Sequence, residues 1–232
     1  MAKLPPKKLI VLSLGGSLIV PKEGFDIPFL KEFKKFILKY LEKNYHFVIV
    51  CGGGNTARIY QEGVRGVSEL ADEDIDWIGI HATRLNAHFM RTIFRKWSYP
   101  VVTKDPTKKM KWETGVLIGA GWKPGWSTDY VAVRLAKLYG AKTVINLSNI
   151  DYAYDKDPKV FKDAKKIKDI KWKEFRKIVG DKWVPGSNLP FDPIASQEAE
   201  KDKIKVIILK GNNLKQVGNA LEGISYQGTT VS

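Results

Sequence analysis

The stretch LIVLSLGGS, residues 9–17, decides the fold, because a short apolar run passes directly into two glycines. Leucine, isoleucine and valine dominate residues 9–14, a composition typical of a strand that is buried on both faces of a parallel sheet. The same arrangement recurs in VIVCGGGN, residues 48–55, where three glycines follow the apolar run. Each stretch therefore predicts a buried strand that ends in a turn free of side chains.

Apolar runs alternate with helical patterns along the rest of the chain. The predicted strands cover residues 9–14, 47–51, 116–118, 143–147 and 205–209. Between them, apolar residues recur at helical spacing over residues 29–41 and 75–93, and a third helix runs from Ser127 to Gly140. This alternation predicts an α/β fold with a mostly parallel sheet and helices on both faces. Ligands of such folds bind beyond the carboxyl ends of the strands, where the glycines lie.

Composition and charge limit the classes of protein to which the chain can belong. The 232 residues are 44% hydrophobic and 28% charged, and no apolar run is long enough to span a membrane. Cys51 is the only cysteine, which excludes an intramolecular disulfide and agrees with a cytoplasmic location. The net charge of +14 favours an anionic partner, but the lysines are interspersed with acidic residues and no nucleic-acid-binding signature is present. We therefore expect a phosphorylated small molecule rather than nucleic acid or a membrane.

Three glycine-rich turns each follow a predicted strand, at residues 15–17, 52–55 and 119–128. Glycine lets the backbone approach an anion closely, and the free N–H groups at the start of a helix attract phosphate oxygens. One such turn is ordinary turn chemistry, but three of them together favour a polyphosphate site. The chain has neither a GxxxxGK[ST] loop nor a GxGxxG motif after its first strand, so the site belongs to neither of these nucleotide-binding classes.

Short motifs stand in a fixed order along the chain. They are LGGS at 14–17, VCGGGN at 50–55 followed by Arg58, DWIGI at 76–80, TRLNA at 83–87, GWKPGWSTD at 121–129, SNID at 148–151, DPIA at 192–195 and GTT at 228–230. Each motif alone is only modestly specific, but the ordered set resembles the amino-acid-kinase superfamily, and within it the archaeal-type UMP kinases. The resemblance implies one domain over residues 1–232, a three-layer αβα sandwich of the carbamate-kinase type. Its N-terminal part, about residues 1–125, would bind UMP, and its C-terminal part, about residues 126–232, would bind ATP.

The resemblance assigns UMP to two parts of the chain. It implies that Gly53 lies between the phosphates of UMP and ATP, and that Asp76 accepts hydrogen bonds from the UMP ribose. Without it, Asp76 is equally well interpreted as one of several acids in the first turn of a helix. The loop expected to close around the uracil and the 5′-phosphate comprises Gly121, Trp122, Lys123, Pro124, Gly125, Trp126, Ser127 and Thr128.

The resemblance also implies the binding of ATP and Mg²⁺ and the catalytic residues. The backbone N–H groups of Gly16, Ser17 and Gly54 would face the ATP phosphates, which hold Mg²⁺ without an assigned protein ligand. The expected catalytic residues are Arg58, whose planar guanidinium would also bind the ATP phosphates, Lys123, and Asp192, which would orient basic groups or the metal shell. The adenosine site would comprise Ser148, Asn149, Tyr154 and Asp157.

Three positions depart from the superfamily pattern. Ser13 and Gln197 stand where many members carry lysines, and Tyr152 stands where glycine usually follows the aspartate. Because phosphoryl transfer needs positioning and charge neutralisation more than covalent chemistry, Mg²⁺, backbone N–H groups, Arg58 and Lys123 can compensate for the two lysines. The substitution at Tyr152 affects the expected shape of the adenine pocket.

Alternative functions remain open on the sequence. The chain could be a sister kinase that phosphorylates a carboxylate or another small phosphate acceptor, or a binding or storage protein that keeps the fold without catalysis. A nucleic-acid binder driven by net charge is a further alternative. For the assembly, the resemblance implies a homohexamer built as a trimer of dimers, with the aromatic-rich helix near residues 77–97 as a candidate interface.

Overall fold

Strands and helices alternate along the chain in a computed structural model that describes residues 8–158, 160–182 and 189–232. The strands are β1 (Lys8–Leu14), β2 (Tyr45–Cys51), β3 (Val116–Gly119), β4 (Thr143–Ser148), β5 (Ala153–Tyr154), β6 (Lys166–Ile167), β7 (Asp169–Ile170), β8 (Lys205–Lys210) and β9 (Thr229–Val231). The helices are α1 (Gly16–Ile19), α2 (Ile27–Glu42), α3 (Gly54–Arg65), α4 (Asp72–Ile93), α5 (Thr128–Tyr139), α6 (Trp172–Val179), α7 (Pro193–Lys201) and α8 (Leu214–Glu222). The five strands predicted from the sequence correspond to β1, β2, β3, β4 and β8.

Seven of the strands form one sheet in the order β3-β2-β1-β4-β8-β9-β7. All neighbours in it are parallel except β8 and β9, which are antiparallel. At the centre, Leu12 of β1 lies between Ile49 of β2 and Ile145 of β4. The predicted mostly parallel sheet is therefore confirmed, and the carboxyl ends of β1, β2, β3, β4 and β8 lie along the same edge.

Helices cover both faces of this sheet. Leu12 and its equivalents pack against apolar residues of α1, α2, α4 and α8, whereas Val11 and its equivalents pack against α5, α6 and α7. Phe33 of α2 and Phe175 of α6 are fully buried in these two cores. Complete burial of such a side chain contributes about 1.5–3 kcal/mol to folding. The three-layer αβα arrangement is confirmed, and no helix of the described residues is long and apolar enough to cross a lipid bilayer.

Two capped helices begin at the carboxyl edge of the sheet. The Ser127 hydroxyl accepts a hydrogen bond from the Tyr130 N–H and begins α5, and the Asp192 carboxylate accepts one from the Ala195 N–H and begins α7. Side-chain oxygens at such positions satisfy N–H groups that have no partner inside the helix. Gly140, in the left-handed conformation with φ of 77°, ends α5. These caps fix the positions of the Ser127 and Asp192 side chains at this edge of the sheet.

Candidate active site

The first two glycine turns lie in direct backbone contact at the carboxyl edge. A Cβ on Gly16 would overlap the backbone nitrogen of Gly54, and a Cβ on Gly52 would lie 2.5 Å from the backbone nitrogen of Gly16. Gly54 also adopts a φ of +60°, which disfavours residues with a side chain. The structure thus brings together two turns that are about 35 residues apart in the sequence, and only glycine allows them to approach this closely.

These turns present several backbone donors without protein acceptors. Among the described residues, the N–H groups of Gly16, Ser17, Gly53 and Gly54 have no hydrogen-bond acceptor. Gly53 lies at the N-cap of α3, where the helix adds partial positive charge. A buried or half-buried N–H without an acceptor is expected to bind a ligand or water. The arrangement suits the oxygens of a phosphate chain.

Arg58 lies one turn into α3, after these glycines. Its side chain is exposed, and within the described part of the chain its guanidinium makes no hydrogen bond or ion pair. Arg58 is therefore close to the second glycine turn in sequence, but its side chain makes no hydrogen bond to either turn in the described residues. A guanidinium in this state is free to swing toward a bound phosphate.

Side chains of helix α4 hold the third glycine-rich segment by hydrogen bonds to the backbone of that segment. The Arg84 guanidinium donates to the carbonyl oxygens of Trp122 at 2.7 Å and Gly121 at 3.4 Å. The Thr83 hydroxyl accepts from the Gly121 N–H at 2.8 Å. Burial lowers the pKa of Arg84 from its usual range. The segment that the sequence assigns to UMP is therefore anchored at its start.

Asp76 anchors the same segment at its tip. One oxygen of its carboxylate accepts a hydrogen bond from the Gly125 N–H at 2.9 Å. Gly125 has a φ of +81°, the conformation that a sharp turn after Pro124 requires. Asp76 was predicted to accept hydrogen bonds from a ribose, and the structure adds a contact with the loop that the sequence did not indicate.

An aromatic cluster fills the space between this loop and α5. The Trp126 and Tyr130 rings have centroids 4.1 Å apart, and the Trp122 and Trp126 rings have centroids 6.0 Å apart. The Lys123 ammonium lies 4.4 Å from the centroid of the Trp122 ring. The loop thus presents flat apolar faces and a cation side by side.

Two carboxylates meet behind the glycine turns, at the starts of α5 and α7. The Ser13 hydroxyl donates to Asp129 at 2.8 Å, and the Asn146 amide lies 3.5 Å from the same oxygen. Asp192 is buried and lies close enough to Asp129 for their charges to interact. The Ser127 hydroxyl also hydrogen-bonds to Asp192. We call Asp129 and Asp192 the acid pair.

Burial controls the ionisation of the acid pair. It raises the pKa of Asp129 to about 7, and the negative charge of Asp192 adds to this effect, while the hydrogen bond from Ser13 opposes it. The pKa of Asp192 is also raised by burial, against the hydrogen bonds from the Ala195 N–H and Ser127. A cation at the position of Ser13 would favour the charged form of Asp129, but serine supplies only a hydroxyl.

The residues predicted to hold adenosine follow β4. Ser148 ends β4, and its hydroxyl accepts from the Ile150 N–H at 3.2 Å. Asn149 follows directly, while Tyr154 lies in β5 and Asp157 in the exposed loop beyond it. Ser148 and Asn149 therefore lie at the carboxyl end of β4, which pairs with the strand that carries Ser13, whereas Tyr154 belongs to the separate sheet of β5 and β6.

The other two departures from the superfamily pattern also have defined surroundings. The Gln197 amide donates to the backbone oxygen of Asp181 at 3.3 Å and to its carboxylate at 3.2 Å. The Lys166 ammonium lies 5.3 Å from the centroid of the Tyr152 ring. Gln197 therefore connects α7 to the chain after α6.

Four polar residues of the site were not assigned a role from the sequence. Thr83, Arg84 and Asn86 belong to the TRLNA motif, and Asp129 ends the GWKPGWSTD motif. A usable signal existed for Asn86, because an amide on the buried side of an amphipathic helix requires hydrogen-bond partners. The partners themselves, which lie in distant turns, are visible only in the fold.

Comparison with known proteins defines the class to which this site belongs. The chain belongs to the Amino acid kinase family, which it matches over residues 8–210.

Three individual proteins show what the chain is similar to within this family. The chain is 37% identical over 207 residues to the uridylate kinase of Methanococcus aeolicus, covering 87% of this chain and 90% of that one. It is 34% identical over 228 residues to the uridylate kinase of Methanocaldococcus jannaschii, covering 96% and 98%. The crystal structure of uridylate kinase from Archaeoglobus fulgidus matches with a TM-score of 0.78 and 29% identity, covering 96% of this chain and 99% of that one. The resemblance found in the sequence motifs is confirmed.

Proposed function

We propose that this protein is a nucleoside monophosphate kinase that transfers the γ-phosphoryl group of ATP to UMP, giving ADP and UDP, as a step in pyrimidine nucleotide biosynthesis. The observation that carries the proposal is the backbone contact between the first two glycine turns, which gathers four N–H groups that have no acceptor in the described parts of the chain. Archaeal relatives that share about a third of its residues are named uridylate kinases, and the chain covers nearly all of their length.

The chemistry requires little beyond positioning and charge stabilisation. The N–H groups of Gly16, Ser17, Gly53 and Gly54 stabilise the negative charge of the phosphoryl group as it moves between the nucleotides. Arg58 swings from its exposed position to the same oxygens. No general base is needed, because the attacking oxygen of the UMP phosphate is already anionic.

The described residues suit a magnesium ion held mainly by ATP. They contain no group of three or more histidine, cysteine or carboxylate side chains arranged to hold a metal. Mg²⁺ in kinases is bound through substrate phosphates with only one or two carboxylates, so the acid pair is the protein contribution that fits. When bound, the ion supplies neutralisation of phosphate charge. Asp192, whose carboxylate caps α7, orients basic groups or the metal shell.

The two nucleotides divide the sheet edge between them. In the sheet order, β3 and β2 lie on one side of β1, and β4 and β8 lie on the other. UMP occupies the first side, with Asp76 at its ribose and the loop of residues 121–128 around its uracil and phosphate. ATP occupies the second, with its adenosine at Ser148, Asn149, Tyr154 and Asp157. The glycine turns lie at the junction, where the two phosphate chains meet.

The absence of the superfamily lysines shifts charge neutralisation to other groups. Lys123, beside Trp122 on the loop, and Arg58 are the cations available to the UMP phosphate and the transferring group. Lys123 is exposed and lies on this loop. Closing the loop on UMP therefore also brings the Lys123 ammonium to the UMP phosphate.

The proposal includes a homo-oligomer in the cytoplasm, a hexamer built as a trimer of dimers. Support comes from exposed large apolar side chains on and beside α3 and α4, namely Phe25, Ile59, Tyr60 and Leu85. Surface of this kind is commonly covered by a second copy of the chain. Light scattering on the purified protein measures the mass directly, and a monomer would contradict this part of the proposal.

A coupled ADP-release assay tests the proposed reaction. With ATP and Mg²⁺ present, UMP should support turnover at least tenfold faster than CMP, AMP or glutamate. Turnover with glutamate alone would favour a carboxylate kinase. If ATP and UMP both bind by calorimetry but no ADP forms, the protein is a non-catalytic binding homologue, an outcome that the replacement of lysine by Ser13 makes worth testing.

A further inference from the structure

Asn86 of α4 makes an unusual pair of hydrogen bonds to the second glycine turn. Its side-chain nitrogen donates to the carbonyl oxygen of Gly52 at 2.8 Å and to that of Gly53 at 2.9 Å. The residue is only 2% exposed. An asparagine amide has two donor hydrogens, so both are used on successive peptide groups of one turn.

These two bonds determine the direction of the next two N–H groups. In a trans peptide, the C=O and N–H groups point in opposite directions, and the described residues contain no cis peptide. With the carbonyls of Gly52 and Gly53 directed at Asn86, the N–H groups of Gly53 and Gly54 must point away from α4. Neither N–H has an acceptor among the described residues. Both therefore point away from α4 and are available to a ligand.

We propose that Asn86 is a positioning residue, which fixes two peptide planes so that the Gly53 and Gly54 N–H groups face the phosphates of the bound nucleotides. This inference rests on the proposed function, since it assumes that phosphorylated nucleotides occupy the edge. Asn86 contacts no substrate itself and acts only through the turn.

The glycines make this support necessary. A turn of three glycines has little conformational preference of its own. The Ala57 N–H also donates to the Gly53 carbonyl, at 3.3 Å, whereas the Gly52 carbonyl has no second donor among the described residues. The Thr56 hydroxyl, 3.5 Å from the Asn86 side-chain oxygen, is the neighbour on the other side of the amide. Preorganised donors stabilise a transition state because they need not reorient during the reaction.

Asn86→Leu tests the proposal, because leucine has a similar volume but donates no hydrogen bond. The kcat with ATP and UMP should fall about 100-fold, the usual effect of losing one preorganised oxyanion donor. UMP should bind at least tenfold more weakly, whereas uridine, which lacks the phosphate, should bind as it does to the unchanged protein. A merely structural role for Asn86 would weaken both ligands together, and equal losses for UMP and uridine would overturn the proposal.

Asn219→Leu is the matched control. The Asn219 amide also donates to a backbone carbonyl, that of Ser225 at 3.0 Å, but it lies on α8, away from the glycine turns. We expect this variant to keep the kcat and the UMP affinity. A 100-fold loss in the control as well would show that Asn86→Leu reports general damage and would overturn the assignment.

A measurement on the unchanged protein covers the case in which Asn86→Leu fails to fold. With ¹⁵N-glycine labelling, addition of ADP or pyrophosphate should shift the amide signals of Gly53 and Gly54 far more than that of Gly63, near the C-terminal end of α3. Unmoved Gly53 and Gly54 signals at saturation would overturn the proposal. Because this titration follows phosphate binding and not turnover, its failure is distinguishable from a failure to phosphorylate UMP.

Discussion

Two regions of the carboxyl edge offer different chemistry to the proposed nucleotides. The glycine turns of residues 15–17 and 52–54 present main-chain N–H groups, whose charge does not change with pH. The acid pair, whose Asp129 accepts a hydrogen bond from Ser13 just before the first turn, presents carboxylates whose pKa values are raised by burial. The first region depends on geometry alone, and the second depends on geometry and on the state of ionisation.

The difference shows how this chain manages without two superfamily lysines. Main-chain donors cannot be lost by substitution as long as the turns stay in contact, so Ser13 and Gln197 leave them intact. The acid pair has no lysine at the position of Ser13, and Asp129 is held by the Ser13 hydroxyl, the Asn146 amide and the backbone N–H of Asp192. Substitutions in the turns should therefore abolish function at any pH, and substitutions in the acid pair should change how the protein responds to pH.

Gly16→Ala should produce the largest effect. The added Cβ would overlap the Gly54 nitrogen and lie 2.6 Å from the carbonyl carbons of Gly52 and Gly53, all of which are backbone atoms that cannot rotate away. The two turns must separate, and turnover of UMP should fall more than about 1,000-fold, since several oriented donors are lost at once. Steady-state assays at pH 6 and pH 8 should show the same loss.

Gly63→Ala is the control for this substitution. Gly63 lies within α3, and a Cβ there would meet no atom within 4 Å. Alanine favours a helix over glycine by about 0.5–1 kcal/mol, so this variant should be as active as the unchanged protein and slightly more stable. Retained activity in Gly16→Ala would show that the contact between the turns is not needed, and the comparison would fail.

Arg84→Ala extends the comparison to the loop that α4 anchors. Loss of the bonds to the carbonyls of Trp122 and Gly121 frees the start of the UMP loop. The KM for UMP should rise about 10- to 100-fold, because charged hydrogen bonds of this kind contribute about 1.5–3 kcal/mol. The KM for ATP should change less than threefold.

Arg65→Ala, at the exposed end of α3, provides the control for Arg84→Ala and should leave both KM values unchanged. If Arg84→Ala instead raises the two KM values equally, the loop does not belong to the UMP side of the site. Steady-state kinetics with each substrate varied in turn makes this distinction.

Much of the fold was predictable because the central strands are continuous apolar runs that end in glycine or a polar residue. The predicted strands agree with β1, β2, β3, β4 and β8 to within two residues. The last two strands of the sheet, β9 and β7, were not predicted, since they are two or three residues long and pair with parts of the chain far away in sequence. Such short strands carry no periodicity that could be recognised.

Helix α4 shows where pattern analysis fails. Leu85 belongs to the apolar positions that recur at helical spacing, yet it is 61% exposed, whereas the neighbouring Asn86 is buried. The helix turns this polar face inward because the carbonyls of Gly52 and Gly53 need donors. Burial of an amide in place of a leucine depends on a partner 33 residues away, which no local pattern contains.

The candidate site was predictable as a set of turns but not as a network. The glycine motifs and their order indicated a phosphate site, and their contact was expected from the parallel strands. The role of Asp129, a residue of α5, was not predictable, because its neighbours Ser13 and Asn146 lie in β1 and β4. Its raised pKa follows from burial, a property of the assembled fold.

Asp129→Asn tests the acid pair through stability. Because the pKa of Asp129 is raised from 3.8 to about 7, the folded protein binds the proton more tightly than the unfolded chain. This contribution to stability is complete below about pH 4 and is lost as the pH rises toward 7, by about 1.4 kcal/mol for each pH unit in that range. Asparagine stays neutral, so the variant should gain stability relative to the unchanged protein as the pH rises.

Urea unfolding at pH 4.5, 6 and 8 measures this difference, and Asp74→Asn on the exposed first turn of α4 is the control. The free-energy difference between Asp129→Asn and the unchanged protein should increase steadily across the three values, and the control should show no such trend. Parallel stability profiles for Asp129→Asn and the unchanged protein would mean that Asp129 does not hold a proton in the fold, and the contrast with the glycine turns would disappear.

Asp76→Asn should produce the smallest effect and separates the two contacts of this carboxylate. The asparagine oxygen can still accept the hydrogen bond from the Gly125 N–H, so the tip of the UMP loop should keep its position. What the variant loses is the charge and one acceptor available to the ribose hydroxyls of UMP. The KM for UMP should rise less than about tenfold, in line with one weakened hydrogen bond, and the KM for ATP should not change. Asp76→Ala, which loses both contacts, should raise the KM for UMP further, and if the two variants behave alike, the anchoring of Gly125 contributes nothing to binding and only the contact with the ribose remains.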